Sequence, residues 1–335
     1  MQAAIYGLAG TELSREERAF FRAANPAGYI LFKRNCESRE QLQRLSDALR
    51  DIHGRAELPI LIDQEGGRVA RMQPPEWPSF PPGEAFARLY DAAPSSAIEA
   101  ARSNARAIAL TLRSVGINVN CLPLLDVRQE GAHDIIGDRA LGAEPMQVAA
   151  LGRAVLDGMA SAGVVGVIKH IPGHGRALAD SHKELPVVDA DVDALELDIE
   201  PFERLHGAPM GMTAHVVYTA WDPDRPGSLS PTVIGDIIRG RIGFDGFLMS
   251  DDLGMQALSG DFGERAAGVV AAGCDAALHC SGEMDEMRAI GAAVPELSLE
   301  GEARLARAMA SAMLEDDGPD FAEVVAKRDE LLALV

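Results

Sequence analysis

The stretch GVVGVIKH (163–170) has no polar side chain for six residues and then ends on a lysine and a histidine. A strand without polar alternation is typical of a parallel sheet, because helices cover both of its faces. Seven other short and mostly apolar runs have the same form, and we expect them to be strands as well. They cover residues 4–8, 28–32, 58–63, 117–127, 209–218, 246–252 and 275–280.

Amphipathic segments with helix signals lie between these runs. The clearest cover residues 38–52, 95–116, 146–163 and 230–243. The first begins at a serine that can cap a helix, and the other three end on glycine. This alternation predicts an α/β protein with a TIM (β/α)₈ barrel in a single domain, residues 1–335, with C-terminal helices from about residue 296 packed on the outside. A doubly wound sheet is the alternative, but no G-x-G-x-x-G motif follows the first strand.

The charge of the chain limits its partners. Its 335 residues carry a formal net charge of −20, whereas binding to a nucleic acid or an anionic membrane needs a dense basic patch. No apolar run approaches the roughly 18 residues of a transmembrane helix, and the first residues do not have the pattern of a signal peptide. We therefore expect a cytoplasmic protein that binds neither nucleic acid nor membrane. The oligomeric state stays open, with a monomer favoured.

Charged side chains and histidines stand at the carboxyl ends of five predicted strands. They are Asp63, Asp126, Lys169 with His170, His215, and Asp251 with Asp252. In a parallel barrel all these ends lie at one mouth, where barrel enzymes carry their active sites. Asp126 fits a helix cap or a loop brace equally well, and His215 fits a buried core histidine. Because neighbouring strand residues face opposite sides, only one of Asp251 and Asp252 should reach the centre.

The segment KHIPGHGRALADSHKELP (169–186) follows the fifth predicted strand and holds three histidines. His170 and His174 have the spacing of two zinc ligands on a helix, but the proline and glycine between them forbid a regular helix. A phosphate-binding loop would need a G-K-[ST] ending, which this segment lacks. Both of these interpretations are therefore disfavoured.

The remaining interpretation of this segment is a loop hinged by Gly173 and Gly175 that carries Asp180 and His182. A carboxylate two residues from an imidazole can hold one tautomer of the ring and favour its protonated form. Such a pair donates a proton near neutral pH. The alternative, that Asp180 and His182 only begin a helix or face solvent, stays open from spacing alone.

Seven motifs resemble the glycoside hydrolase family 3 β-N-acetylhexosaminidases, which in bacteria include single-domain enzymes of peptidoglycan recycling. The motifs are GYILFKRN (28–35), IDQEGGRVARM (62–72), NCLPLLDV (120–127), IGDRALG (136–142), KHIPGHGRALADSHKELP (169–186), MTAHVVY (212–218) and GFDGFLMSDDLGM (243–255). They occur in the family's order, and the resemblance spans about residues 1–290. Two small departures are a glycine after the SDDL motif, where serine is frequent, and an arginine, Arg176, in the loop.

The resemblance implies a retaining mechanism with three catalytic residues. Asp251 would be the nucleophile, His182 the acid/base, and Asp180 the group that orients and tunes His182. The substrate-binding positions carry over to Asp63, Arg71, Arg139, Lys169 and His170. No metal and no other cofactor is expected.

The resemblance thus predicts an exo-β-N-acetylglucosaminidase that removes terminal GlcNAc from 1,6-anhydroMurNAc-linked muropeptides, with a role in cell-wall turnover, cell shape and cell division. A β-N-acetylglucosaminide phosphorylase with the same site is the alternative, because a histidine acid/base does not repel an incoming phosphate. Two further alternatives remain. A metal-dependent barrel hydrolase would lose activity in EDTA, and a catalytically inactive sugar-binding barrel would show no turnover.

Overall fold

Eight parallel strands form a closed barrel in the computed structural model, which describes residues 1–129, 131, 134–179, 181, 184–312 and 318–335. The strands are β1 (Gln2–Gly7), β2 (Pro26–Leu31), β3 (Ile60–Ile62), β4 (Val119–Asn120), β5 (Val165–Ile171), β6 (Met210–Thr213), β7 (Phe247–Asp252) and β8 (Ala276–His279). Each pairs with its neighbours in sequence, and β8 closes onto β1 with Ala277 opposite Ala4. Each predicted strand overlaps one of these, which confirms the predicted (β/α)₈ barrel.

Helices surround the barrel. They are α1 (Arg15–Ala24), α2 (Arg39–His53), α3 (Gly83–Ala92), α4 (Pro94–Arg113), α5 (Pro145–Ala160), α6 (Val192–Arg204), a π-type helix (Val233–Arg241), α7 (Phe262–Ala272), α8 (Met284–Ala293), α9 (Leu299–Ala310) and α10 (Phe321–Leu332). Ser38 caps α2 as predicted, since its side chain accepts a hydrogen bond from the Gln41 N–H. Within the described ranges, no helix is long and apolar enough to cross a bilayer.

Apolar side chains fill the interior of the barrel. Every strand contributes at least one of them: Ile5, Ile30, Leu61, Val119, Val165, Val167, Met210, Met212, Phe247, Met249 and Leu278 form one buried cluster. Full burial of each such side chain stabilises the fold by about 1.5–3 kcal/mol. The interior is therefore a packed core, which gives any cavity at the barrel mouth a closed floor.

The two C-terminal helices occupy different places. α10 packs against α4, where Arg328 Nη1 donates a hydrogen bond to Asn104 Oδ1 at 3.1 Å. α9 lies at the amino ends of the strands, which we call the lower end of the barrel, and Leu305, Ala308 and Met309 join the interior cluster there. The carboxyl ends of the strands form the upper end.

Candidate active site

A cavity of about 240 Å³ opens at the upper end of the barrel. Its wall contains six of the residues that the sequence nominates for the site: Asp63, Arg71, Arg139, Lys169, His170 and Asp251. The other two, Asp180 and His182, lie outside the described residues. The packed barrel interior closes the cavity from below, so it is a blind pocket of the size of a small ligand.

Lys169 joins two carboxylates of the cavity wall. Only 2% of its side chain is exposed, and its Nζ lies 3.0 Å from Asp63 Oδ1 and 2.6 Å from Glu65 Oε1. The other oxygen of Asp63, Oδ2, accepts a hydrogen bond from Arg71 Nη2 at 3.0 Å. Asp63 is thus held by two cations from different segments. Lys169 lies on β5, and Arg71 directly follows the hairpin of residues 64–70.

Glu65 extends this network to Arg139. Both of its oxygens accept hydrogen bonds from the guanidinium, at 2.8 Å each, which is the fork geometry that arginine and carboxylate prefer. Glu65 was not among the residues predicted from the sequence. The sequence feature that could have indicated it is its position two residues after Asp63, since alternate residues of an extended segment face the same side.

The network also sets the charge of its carboxyl groups. Burial alone would raise the pKa of Glu65, but Arg139 and Lys169 outweigh it and lower that pKa to about 2. Burial likewise opposes the effect of Lys169 and Arg71 on Asp63, whose pKa nevertheless falls below its ordinary value. Burial would lower the pKa of Lys169, yet Glu65 and Asp63 raise it. These carboxylates can therefore accept hydrogen bonds at neutral pH but cannot donate a proton.

Two buried amides hold the hairpin that carries Arg71. Asn120, at the end of β4, accepts a hydrogen bond from the Gln64 N–H and donates one to the Gln64 carbonyl, both at 3.0 Å. The Gln64 side chain accepts from the N–H groups of Arg71 at 2.9 Å and Met72 at 3.0 Å. The hairpin of residues 64–70 is therefore fixed to the barrel by side-chain hydrogen bonds as well as by its own pairing.

His170 forms a close pair with the fully buried Asp126. Its Nδ1 lies 2.8 Å from Asp126 Oδ2, and Asp126 Oδ1 accepts hydrogen bonds from the backbone N–H groups of His170 at 3.2 Å and His174 at 2.7 Å. Of the roles weighed for Asp126, the geometry corresponds to the loop brace. Burial would raise the pKa of Asp126, but His170 and His174 lower it to about 2.

His174 lies in the cavity wall and is 3% exposed. Its Nδ1 has no hydrogen-bond partner among the described residues. Burial, together with the nearby His170, lowers the pKa of the imidazole to about 4. His174 is therefore neutral at neutral pH.

Asp251 and Asp252 both line the cavity. The expectation that only one of them reaches it is wrong, because the register of β7 against β8 shifts between Met249 and Asp252 and interrupts the alternation. Asp252 Oδ1 is held by the N–H groups of Gly254 at 3.0 Å and Cys280 at 3.1 Å. Asp251 Oδ1 accepts from the Asp252 N–H at 2.8 Å, and within the described parts of the chain its Oδ2 accepts no hydrogen bond.

His215 supports this strand from behind and is itself completely buried. Its Nδ1 lies 2.6 Å from Ser228 Oγ and its Nε2 lies 3.0 Å from the Asp252 carbonyl oxygen. Burial lowers its pKa. His215 is thus a hydrogen-bonded core histidine, which is one of the two roles that the sequence allowed.

Comparison with known proteins identifies the family to which the chain belongs. The family model described as "Glycosyl hydrolase family 3 N terminal domain" matches residues 3–311. The chain belongs to glycosyl hydrolase family 3. This confirms the resemblance to the family's β-N-acetylhexosaminidases that the motifs predicted, and the chain is a glycoside hydrolase.

Two curated relatives of this family 3 hydrolase are β-hexosaminidases. The protein from Alkalilimnicola ehrlichii is 41% identical over 83% of this chain and 80% of its own length. That from Aromatoleum aromaticum is 37% identical over 89% of this chain and 84% of its own. Among solved structures, native NagZ from Neisseria gonorrhoeae superposes with a TM-score of 0.88 at 30% identity, covering 99% of this chain and 98% of that one.

Two glycines of the loop after β5 of this family 3 hydrolase, Gly173 and Gly175, were predicted as hinges. In this structure both are sites of close packing. Gly173 has a φ of 134°, and a Cβ there would lie 3.0 Å from the Cβ of Asp198. A Cβ at Gly175 would lie 1.9 Å from the Val127 carbonyl oxygen. Glycine is favoured at position 173 by its positive φ, and it is required at position 175 because a Cβ would overlap the Val127 backbone.

Proposed function

We propose that this family 3 hydrolase is a retaining exo-β-N-acetylglucosaminidase. The observation that carries the proposal is the position of Asp251, which stands in a blind cavity among fixed hydrogen-bonding groups. A closed floor admits only the end of a saccharide chain. The names of the curated relatives support a hexosamine substrate, as does a NagZ structure in complex with N-trifluoroacetyl-D-glucosamine, which matches with a TM-score of 0.86.

The network around Lys169 binds the terminal sugar in this proposal. Asp63 accepts hydrogen bonds from two sugar hydroxyl groups, since its pKa keeps it ionised. Arg71, Arg139, Lys169 and His170 act as donors to hydroxyl and amide oxygens. Because the cations are already paired with Asp63 and Glu65, they are oriented before the sugar arrives, which lowers the entropic cost of binding.

Asp251 is the nucleophile. Its carboxylate oxygen attacks the anomeric carbon, the bond from that carbon to the leaving oxygen breaks, and a glycosyl ester forms on Asp251. A water then loses a proton to the base and attacks the same carbon, which releases the sugar and restores the carboxylate. Two displacements return the anomeric centre to its starting configuration.

The proton for the leaving oxygen comes from His182, and Asp180 orients its ring. Three observations favour an imidazole on the loop over a group in the described wall. Asp63 and Glu65 are deprotonated at neutral pH, His174 is neutral there, and Asp252 is engaged by two backbone N–H groups. In addition Ser181, which the chain places between Asp180 and His182, lines the cavity.

His170, an imidazole of the cavity wall, is also paired with a carboxylate, that of Asp126, and it is the main competitor for the acid/base role. We assign His170 to sugar binding because Asp126 also accepts two backbone N–H groups, a sign that the pair braces the loop. The competing assignment is testable by substitution of each histidine in turn.

The natural substrate in this proposal is a muropeptide with GlcNAc linked to 1,6-anhydroMurNAc, cleaved in the cytoplasm during peptidoglycan recycling. Such a product contributes to cell-wall turnover and, through it, to cell shape and division. The motifs support this substrate class, and the chain acts on it as a monomer without a cofactor.

Phosphate in place of water as acceptor would yield GlcNAc-1-phosphate, so product analysis with and without phosphate separates the hydrolase from a phosphorylase.

The first experiment traps the intermediate. The protein is exposed to a 5-fluoro GlcNAc-type fluoride, digested and mapped by mass spectrometry. We expect one glycosyl adduct on the peptide that contains Asp251, and NMR of the first released sugar should give the β-anomer. An adduct on another carboxylate, or release of the α-anomer, would contradict the mechanism.

The second experiment compares His182→Ala with His170→Ala on aryl β-GlcNAc substrates. Loss of the acid should lower kcat/KM by about 10²-fold or more for a phenyl substrate and much less for a dinitrophenyl one, whose leaving group hardly needs a proton. Loss of a sugar-binding group should lower both about equally. The reverse pattern would assign the acid/base role to His170.

A further inference from the structure

The loop after β5 is tied to α6 by a buried ion pair. Arg176 Nε lies 2.6 Å from Asp198 Oδ2, and the Arg176 Nη2 donates a second hydrogen bond, at 2.9 Å, to the Ala194 carbonyl. The Asp198 side chain is only 4% exposed. Arg176 thus points away from the cavity and into the helix layer.

Other contacts fix the same part of the loop. Gly173 packs directly on Asp198, and its carbonyl accepts a hydrogen bond from the Tyr218 hydroxyl at 2.8 Å. Asp198 Oδ1 also receives a long hydrogen bond, at 3.5 Å, from Gln129. Burial raises the pKa of Asp198 to about 6 against the opposing effect of Arg176, so the carboxylate is ionised at neutral pH. Asp198 therefore joins α6 to the loops after β4 and β5.

A second attachment lies further along the loop. The Ser181 carbonyl accepts a hydrogen bond from the Ala257 N–H at 3.2 Å, and Ser181 is 4% exposed in the cavity wall. Only four residues separate Arg176 from Ser181, and His182 follows directly. Arg176 and Ser181 are thus two attachment points of one short span of the loop, and in the sequence this span leads directly to His182.

We propose that Arg176 and Asp198 are positioning residues, and that their ion pair fixes the base of the loop so that the proton donor reaches the leaving oxygen. The inference rests on the proposed role of His182. Neither residue touches the sugar, so loss of the pair leaves sugar binding intact and reduces proton donation. Misplacement of a catalytic group by about 1 Å can cost up to about 10²-fold in rate.

The test uses three variants and a matched control. Arg176→Gln and Asp198→Asn remove the ion pair, Arg176→Lys keeps the positive charge, and Arg204→Gln breaks an exposed pair with Glu200 on the same helix. We expect Arg176→Gln to lower kcat/KM about tenfold or more for the phenyl substrate and less than about threefold for the dinitrophenyl one. Inhibition by free GlcNAc should not change. Arg176→Lys should recover part of the loss, and Arg204→Gln should match the wild type.

Equal losses on both substrates, weaker GlcNAc inhibition, or a change in melting temperature alone would overturn the proposal, as would failure of every Arg176 and Asp198 variant to fold. Each outcome would show that the pair does not act by placing the proton donor. His182→Ala is measured in parallel. If it shows no dependence on the leaving group, the assignment of His182 fails. If it shows that dependence and Arg176→Gln does not, only the positioning role fails.

Discussion

The two ends of the barrel each hold a carboxylate between two cations, but the two carboxylates have different surroundings. At the upper end Asp63 is paired with Lys169 and Arg71. At the lower end Asp275 is paired with Arg239 Nη2 at 2.9 Å and Arg304 Nη1 at 3.1 Å. All three residues of the upper network line the cavity at that end, whereas of the lower network only Arg304 borders a cavity, and Asp275 lies beneath α9.

The difference lies in what each network leaves unpaired. At the lower end Asp275 also accepts the Leu248 N–H, and Arg239 donates to two backbone carbonyls, those of Phe244 and Gly246. At the upper end Arg71 Nε is buried without a hydrogen-bond partner among the described residues. Paired charges alone therefore do not identify a functional site. What distinguishes the upper network is that its carboxylate and both of its cations line one cavity.

Asp251→Asn should have the largest effect at the upper end. The substitution keeps the shape of the side chain but removes the nucleophilic charge, so kcat for an aryl β-GlcNAc should fall by about 10⁴-fold or more, as is typical when a nucleophile is removed. The melting temperature should change little, because no basic side chain in the described ranges lies within 4 Å of this carboxylate.

Asp252→Asn is the matched control for that measurement, since it changes the neighbouring carboxylate of the same strand. Steady-state kinetics with both variants should show a far smaller loss at Asp252. A comparable loss at Asp252, or residual activity of Asp251→Asn above a few per cent of wild type, would move the nucleophile away from Asp251.

Lys169→Met should lower both activity and stability. Activity should fall by about 10²- to 10³-fold in kcat/KM, in the range known for the loss of one aligned donor. The variant also leaves the buried Glu65 and the partly buried Asp63 without the cation they share, which should cost about 3 kcal/mol of the free energy of unfolding. Kinetics and urea unfolding on the same preparation test both effects. Loss of stability alone would mean that the upper network is only structural.

Much of this architecture could be predicted from the sequence, because parallel barrel strands are buried on both faces and read as apolar runs. The position of the cavity could be predicted in a similar way. An ionised side chain at the carboxyl end of a buried strand is expected to lie at the mouth of the barrel, where all these strand ends meet. Asp63, Lys169 and Asp251 were found in this way, and motif resemblance added Arg71 and Arg139.

What the sequence did not reveal depends on contacts between distant segments. Glu65 acquires its role only because the 64–70 hairpin turns back over Lys169 and Arg139. The pattern of α9 predicts a helix but not that it lies at the lower end of the barrel. Similarly, the spacing of Gly173 and Gly175 does not distinguish a hinge from close packing on Asp198 and Val127.

Asp275→Asn should affect stability alone, in contrast to Lys169→Met. Breaking a buried pair leaves Arg239 and Arg304 without their shared anion, and this typically costs about 3 kcal/mol. The kcat of the folded variant should stay within about twofold of wild type, since the substitution lies at the end of the barrel away from the cavity. Glu200→Gln, at an exposed pair with Arg204, is the control and should cost less than about 1 kcal/mol. A drop in kcat that matches Lys169→Met would show that the two ends are coupled.

The smallest effect concerns acid sensitivity at the upper end. Burial and the nearby His170 lower the pKa of His174 to about 4, below the 6.5 of an ordinary histidine, so folding favours the neutral ring. The stability that this contributes is complete above pH 6.5 and is lost as the pH falls towards 4. Between pH 7 and pH 5 the loss should be about 2 kcal/mol.

His174→Gln tests this directly, because glutamine keeps a polar side chain and does not titrate. Urea unfolding at pH 7, 6 and 5 should give a shallower dependence of the free energy of unfolding on pH for the variant than for the wild type. A slope remains in the variant, since burial also lowers the pKa of His53 and of His279 to about 4. Parallel curves for the two proteins would mean that His174 takes up its proton as readily in the folded chain as in the unfolded one. His174 would then not make the upper end of the barrel sensitive to acid.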